Sequence, residues 1–213
     1  MNVILIAGGP AVELPDFSLF PNAIYIGVDS GTLTLLERDI HPNAAVGDFD
    51  SVTAGDYEKI RMAFPDLARL PSEKDQSDTE LGLERAMTYH PQQVILAGVT
   101  GGRLDHYMSV LHIVYHYQQK FPETRFLIIN NQNQIRFLSP GIHELVKDAR
   151  YRYVSFYPFA EEVQGLTLSG FKYPVTNENL PFGTTRFVSN ELVGCGSVEI
   201  TSGYCLMVES SDA

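Results

Sequence analysis

Three acid-rich segments carry the side chains best suited to chemistry: Gly47-Asp48-Phe49-Asp50-Ser51, Lys74-Asp75-Gln76-Ser77-Asp78-Thr79-Glu80 and Thr100-Gly101-Gly102-Arg103-Leu104-Asp105-His106. Each begins where an apolar, strand-like run ends. Hard cations such as Mg²⁺ take carboxylate oxygens together with phosphate oxygens of a substrate. Glycine turns and helix N-termini offer backbone N–H groups to phosphates. Both features at strand ends imply a site for a metal-bound nucleoside triphosphate.

Each segment also has an ordinary reading. In extended backbone Asp48 and Asp50, two apart, point the same way, and the two carboxylates repel unless a cation lies between them. The alternative is an Asp-rich turn capped by Ser51. Ser77 and Glu80 fit a capping box, and Asp78 near a helix start is favoured by the helix dipole. Capping leaves Lys74 and Asp75 unexplained, and an acid beside a lysine could hold metal and phosphate together. The Gly101-Gly102 pair lacks the lysine of a P-loop and the spacing of a dinucleotide fingerprint. Its backbone could still cradle phosphate, with Arg103 as a bidentate partner; an ordinary strand-to-helix turn, with Asp105 in the first helical turn and His106 on the surface, is equally open. Asp29-Ser30-Gly31 has the same ambiguity. His112 and His116, four apart, read as a helix face. Ser189-Asn190-Glu191 reads as a polar strand end after residues 184–188.

The elements that must position these residues follow from hydrophobic pattern. Apolar runs at residues 3–7, 23–28, 44–46, 94–97 and 126–129 end in Gly, Asp or Asn. Runs apolar on both faces suit a parallel sheet covered by helices. Helical segments are expected at 32–38, 54–64, 79–89 and 104–120, the last with Leu104, Met108, Leu111 and Tyr115 at helical spacing. In such a doubly wound α/β sheet, ligands sit beyond the carboxyl ends of the strands. The character changes near Pro140-Gly141. Residues 151–156, 164–168, 197–200 and 204–208 alternate, with turns at 169–170, 181–183 and 201–203. This predicts an antiparallel β-sandwich, giving domains 1–138 (α/β) and 139–213 (β).

Composition narrows the partners. The 213 residues are 44% hydrophobic with a formal net charge of −11. Acidic balance argues against a general nucleic-acid binder. No apolar run approaches a membrane span, and the N-terminal apolar run reads as a buried strand rather than a signal peptide. Cys195 and Cys205 flank an expected hairpin at Thr201-Ser202-Gly203, whose pairing would set Val198 near Cys205. That leaves the cysteines out of register, as two reduced thiols of a cytoplasmic protein.

In order, these segments resemble the thiamine pyrophosphokinase family. The resemblance rests on Gly27-Val28-Asp29-Ser30-Gly31, the three acid-rich segments, Gly170-Phe171-Lys172-Tyr173-Pro174, Ser189-Asn190-Glu191 and the ending Gly203-Tyr204-Cys205-Leu206-Met207-Val208. It covers nearly the whole chain and is specific through the joint order of weak pieces. The resemblance implies transfer of a pyrophosphoryl group from ATP to thiamine, with Mg²⁺, an α/β nucleotide domain, a β-sandwich domain and a homodimer. It implies that Asp48, Asp50 and Asp78 bind metal and, with Asp75, serve catalysis. ATP then falls to Asp29, Gly31, Thr79 and the 101–106 segment (Gly101, Gly102, Arg103, Asp105, His106), and thiamine to Ser189 and Asn190. Family members often carry an asparagine about where Val110 stands here, and the chain has no tryptophan to stack on thiamine. Pyrophosphorylation of another hydroxymethyl heterocycle, such as a pterin, and ligand binding without turnover are the rival readings.

Overall fold

The computed structural model describes residues 1–50, 52–65 and 76–212. The fold is mixed α/β and divides into two compact units, Met1–Asn131 and Gln132–Ala213.

In the first unit, β1 (Asn2–Ile6), β2 (Ile24–Val28), β3 (Ala44–Val46), β4 (Gln93–Ala97) and β5 (Arg125–Ile129) pair in the order β3-β2-β1-β4-β5, all parallel. Val3, Ile4, Leu5 and Ile6 are all fully buried, so β1 is covered on both faces. On one face Ile4 and Ile6 join Leu35 of α1 (Ser30–Leu36), Ile95, Leu127 and Ile129 in a single core cluster. On the other face lies α3 (Asp78–Met87). A Cβ at Gly82 would meet Leu5 and Val28 at 2.7 and 2.8 Å, so glycine lets the α3 backbone approach the sheet closely. Each fully buried aliphatic side chain contributes about 1.5–3 kcal/mol of transfer free energy. Helix α2 (Ala54–Ala63) starts from a Thr53 cap, whose hydroxyl accepts from the Asp56 amide.

Helix α4 (Leu104–Lys120) has the predicted bounds but a different buried face. Val110, Leu111, Val114 and Tyr117 are buried, and the Tyr117 ring meets Phe126 edge-on at 6.0 Å. Leu104 and Met108 are exposed, at 78% and 48%. Of the expected stripe Leu111 packs, and the buried face is otherwise set by Val110, Val114 and Tyr117.

Among the described residues of the second unit every regular element is a strand: β6 (Asn133–Leu138), β7 (Gly141–Val146), β8 (Tyr153–Phe171), β9 (Val175–Leu180), β10 (Leu192–Ile200) and β11 (Ser202–Ser210). All pairings within it are antiparallel. Of the two short strands expected at 151–156 and 164–168, residues 153–156 and all of 164–168 are parts of the single long β8. Phe156, Val163, Leu166, Leu168, Phe171, Val198 and Met207 share its core.

The hairpin expected at Thr201-Ser202-Gly203 does not form. Glu199 of β10 sits opposite Thr167, and Ser202 of β11 opposite Gln164, so β10 and β11 run in one direction along β8. The turn-rich triplet kinks a continuous run rather than reversing it. Gly203 has φ 82°, and a Cβ there would overlap the Glu162 carbonyl oxygen. Turn residues serve β-bulges as readily as hairpins, which is why the sequence signal misled. Cys195 and Cys205 are both free thiols, the first exposed and the second buried. Tyr151 and Phe156 face inward, at 5% and 1% exposed.

Candidate active site

The strand order reverses between β1 and β4, where one connection goes to each side of the sheet. Such a switch point opens a crevice at the carboxyl ends of the strands. Here the loops after β1 and β4 are laced together by Ala7 N–H to Ala97 O (2.9 Å) and Gly9 N–H to Gly98 O (2.7 Å). A side chain at Gly9 or Gly98 would strike the opposing backbone. The crevice is an open cavity of about 470 Å³, lined by Gly8 and Gly9, by Asp29, Asp48, Asp50, Asp78 and Thr79, and by Thr100, Gly102, Arg103, His106 and Val110.

Asp29, Asp48 and Asp78 each offer a carboxylate oxygen within 4.8 Å of the other two. They come from the ends of β2 and β3 and the start of α3. Asp29 has φ 47° and ψ −125°, a region non-glycine residues enter at a cost of about 1–3 kcal/mol. The Asp29 amide donates to Val46 O (2.9 Å), and its Oδ1 accepts from the Phe49 amide (3.2 Å). Gly47, at φ 142°, leaves the space this carboxylate occupies. Burial pushes the Asp29 carboxyl up to about 6, aided by the charge of Asp78 and, more weakly, Asp48 and Asp50. An all-oxygen set of gathered acids fits a hard divalent cation.

The 47–50 turn is not extended. Phe49 has φ 56°, its ring is buried against Tyr57 (5.7 Å), and Asp48 Oδ1 accepts from the Asp50 amide (3.0 Å). The same-side argument for Asp48 and Asp50 therefore does not describe this loop. Both acids line the cavity, but Asp48 is buried and Asp50 exposed, and the third member of the close cluster is Asp29. Asp29 was legible only as an ambiguous Asp-Ser-Gly turn, because its meeting with Asp48 depends on β2–β3 pairing.

Ser77 caps α3 by accepting from the Glu80 amide (3.2 Å), as the capping box requires, which sets Asp78 and Thr79 at the cavity. Asp75, with Lys74 and Ser51, lies outside the described residues. After β4, Gly101 takes φ 75° and α4 begins with Arg103 at its N-cap, which supplies no side-chain cap. Asp105 does not line the cavity; it grips Arg103 through Nε (3.1 Å) and Nη2 (2.6 Å). That pairing holds the Asp105 carboxyl down at about 2. Gly31 packs on the Ile6 carbonyl rather than on the cavity. Val110 presents an apolar wall to the cavity.

Sequence reading missed Glu13. Its Oε2 accepts from the Thr100 hydroxyl (3.0 Å), and no local signal announces a contact 87 residues apart.

In the second unit, residues 184–189 form no strand, with a turn at 186–187 and a bend at 188–189, and Ser189 is exposed at φ 58°. Its amide donates to Ser155 Oγ (3.0 Å). Asn190 is buried and bridges Val154 through both backbone groups. Its Oδ1 accepts from the amides of Tyr173 (3.0 Å) and Glu191 (2.9 Å), and its Nδ2 donates to Tyr173 O (2.8 Å). Lys172 and Glu191 close this corner with an ion pair at 2.7 Å.

A parallel sheet with acids and a glycine turn gathered at its switch point defines an α/β enzyme class whose ligand sits beyond the strand ends. Comparison with known proteins names the family. The catalytic domain of thiamin pyrophosphokinase matches residues 18–126, and the vitamin B1 binding domain of thiamin pyrophosphokinase matches residues 142–205. Thiamine pyrophosphokinase of Bacillus subtilis (strain 168) is 38% identical over 214 residues, 99% of each chain. A crystal structure of the Bacillus subtilis thiamine pyrophosphokinase superposes with a TM-score of 0.93 at 37% identity, covering 100% of both chains. That of the Geobacillus thermodenitrificans thiamin pyrophosphokinase gives 0.91 at 39% identity, covering 100% of this chain and 99% of that one. The chain belongs to the thiamin pyrophosphokinase family of enzymes.

Proposed function

We propose that the protein transfers the pyrophosphoryl group of ATP to the hydroxyl of thiamine, giving thiamine diphosphate and AMP. The observation that carries this reading is the convergence of Asp29, Asp48 and Asp78 beside the glycine turn at the switch point. Family membership supplies the acceptor: the relatives bear the name thiamine pyrophosphokinase.

Asp29, Asp48 and Asp78 would hold Mg²⁺, with Asp50 at the exposed rim. Bound there, the cation would neutralise charge on the phosphate oxygens. The Thr100–Gly102 turn and the start of α4 would offer backbone N–H groups to the triphosphate. Arg103 adds a guanidinium, paired with Asp105, suited to charge developing between the α- and β-phosphates. His106 and Thr79 are further hydrogen-bonding groups on the wall. An aspartate, Asp78 or Asp75, orients or accepts the proton of the thiamine hydroxyl.

We assign thiamine to the second unit, residues 139–213 in the sequence division, read as a β-sandwich with Ser189 at the contact. Asn190 serves that contact by shaping the turn. A homodimer is supported by exposed Ile142 and Val146 on β7 and Val193 on β10, at 67%, 76% and 71%. β7 pairs with β10 and ends the strand order, an edge that invites a partner. Free thiols suit the reducing cytoplasm. Among the described residues no helix is long and apolar enough to cross a membrane.

The test is product analysis. Incubation with ATP, thiamine and Mg²⁺ is expected to release AMP and thiamine diphosphate in equal amounts. ADP as the co-product, or faster turnover of a pterin alcohol, would overturn the assignment.

A further inference from the structure

The geometry points to Glu13 as a positioning residue for the phosphate-binding turn, acting through Thr100. This rests on the reading of that turn as part of the ATP site.

Glu13 ends a short 3-10 turn, Ala11–Glu13, in the loop after β1. It is tied to two other strand ends. From the end of β5, the Asn131 amide donates to Glu13 O (2.8 Å), and Asn131 Nδ2 donates to Val12 O (3.2 Å). From the end of β4, the Thr100 hydroxyl donates to Glu13 Oε2 (3.0 Å) and accepts from Asn130 Nδ2 (3.0 Å). The hydroxyl thus has one donor and one acceptor role assigned, which fixes its rotor. The Glu13 carboxylate also lies against the Cα of Gly101, so closely that any side chain at 101 would overlap it. Gly101 is at φ 75° immediately before the two residues that open α4. Glu13, which does not line the cavity, therefore braces the turn: it holds Thr100 by a hydrogen bond and fills the space a 101 side chain would take. Neither contact makes it a group that touches the reacting atoms.

A charge-assisted hydrogen bond that orders a loop before binding reduces the ordering cost of binding. Loss of the brace is expected to appear in the nucleotide and not in the acceptor. Steady-state kinetics and calorimetric ATP titration would be run on wild type, Glu13→Ala, Glu13→Gln and Thr100→Val. Glu13→Ala is expected to raise KM and Kd for ATP about tenfold, the scale of one such hydrogen bond. KM for thiamine and the melting temperature should change little. Glu13→Gln keeps an acceptor for Thr100 and should stay within about threefold of wild type, less than half a tenfold step in free energy. Thr100→Val removes the same bond from the other side, together with the one from Asn130. It should weaken ATP binding at least as much as Glu13→Ala, and the double variant Glu13→Ala/Thr100→Val should be no worse than Thr100→Val alone. Should Glu13→Ala not fold, Thr100→Val and Glu13→Gln carry the test. Unchanged ATP affinity in Glu13→Ala and Thr100→Val, equal losses for both substrates, a glutamine as damaging as alanine, or additive single effects would each overturn the proposal. Absence of ATP binding by the wild-type protein would instead overturn the parent reading, and this inference with it.

Discussion

The acid cluster of the α/β unit and the Ser189–Asn190 corner of the β unit spend their polar groups in opposite ways. At the corner, the buried Asn190 amide is committed to three backbone hydrogen bonds and its main chain to two more. At the cluster, three carboxylates are gathered within 4.8 Å, one of them on strained backbone, and the charges that shift Asp29 are all acidic. The first arrangement is stable as it stands. The second is costly in the protein alone, a cost that a bound cation would offset. Polar groups that complete one another hold a fold, and polar groups that oppose one another prepare a site.

The largest effect should come from removing a cluster charge. Asp48→Asn and Asp78→Asn are expected to lower kcat by at least about a hundredfold while leaving the circular dichroism spectrum unchanged, as loss of electrostatic stabilisation does elsewhere. Near-normal turnover of either variant at limiting Mg²⁺ would remove the metal role from the cluster. At the corner the effect should fall on the fold. Asn190→Ala leaves two amides and a carbonyl of Tyr173 and Glu191 without their partner, so urea unfolding should report a loss of about 2–3 kcal/mol. A variant of full stability that no longer binds thiamine would make Asn190 a direct ligand contact and undo the contrast.

A smaller effect separates the regions by pH. Asp29 is raised from 3.8 to about 6, so between those values the folded protein binds a proton that the unfolded chain has released. In chelator-treated protein this group adds stability as pH falls through 6 towards 3.8, and its burial is fully unfavourable above about pH 7. Asp29→Asn should therefore raise the metal-free melting temperature at about pH 8, and the difference from wild type should shrink below about pH 5. A variant melting lower than wild type at the alkaline end would contradict the cost assigned to the cluster. Smallest of all, Gly82→Ala should cost about 1–3 kcal/mol by overpacking α3 against Leu5 and Val28, with kcat unchanged. A stable variant would mean α3 shifts freely over the sheet.

The sequence was most readable where one element decides the outcome. The buried runs of β1 and β4, the Ser77 cap and the bounds of α4 all follow from local pattern. It was least readable where two distant segments decide together. Asp29 joins Asp48 only because β2 and β3 pair, and Glu13 meets Thr100 only at the switch point. Local signals also carry two meanings: Thr201-Ser202-Gly203 serves a kink as well as a hairpin, and a stripe through Leu104 and Met108 looks as helical as the one through Val110 and Val114. The positive φ of Phe49 broke the alternation rule at the one loop where it mattered most for the acids.

The proposed role of the α/β acids in holding the nucleotide's cation can be read from calorimetric titration of a non-hydrolysable ATP analogue into wild type and Asp48→Asn, each with and without Mg²⁺. Wild type is expected to bind in a Mg²⁺-dependent way, with that dependence greatly reduced in Asp48→Asn. Equal Mg²⁺-dependent affinity in the two proteins would contradict it.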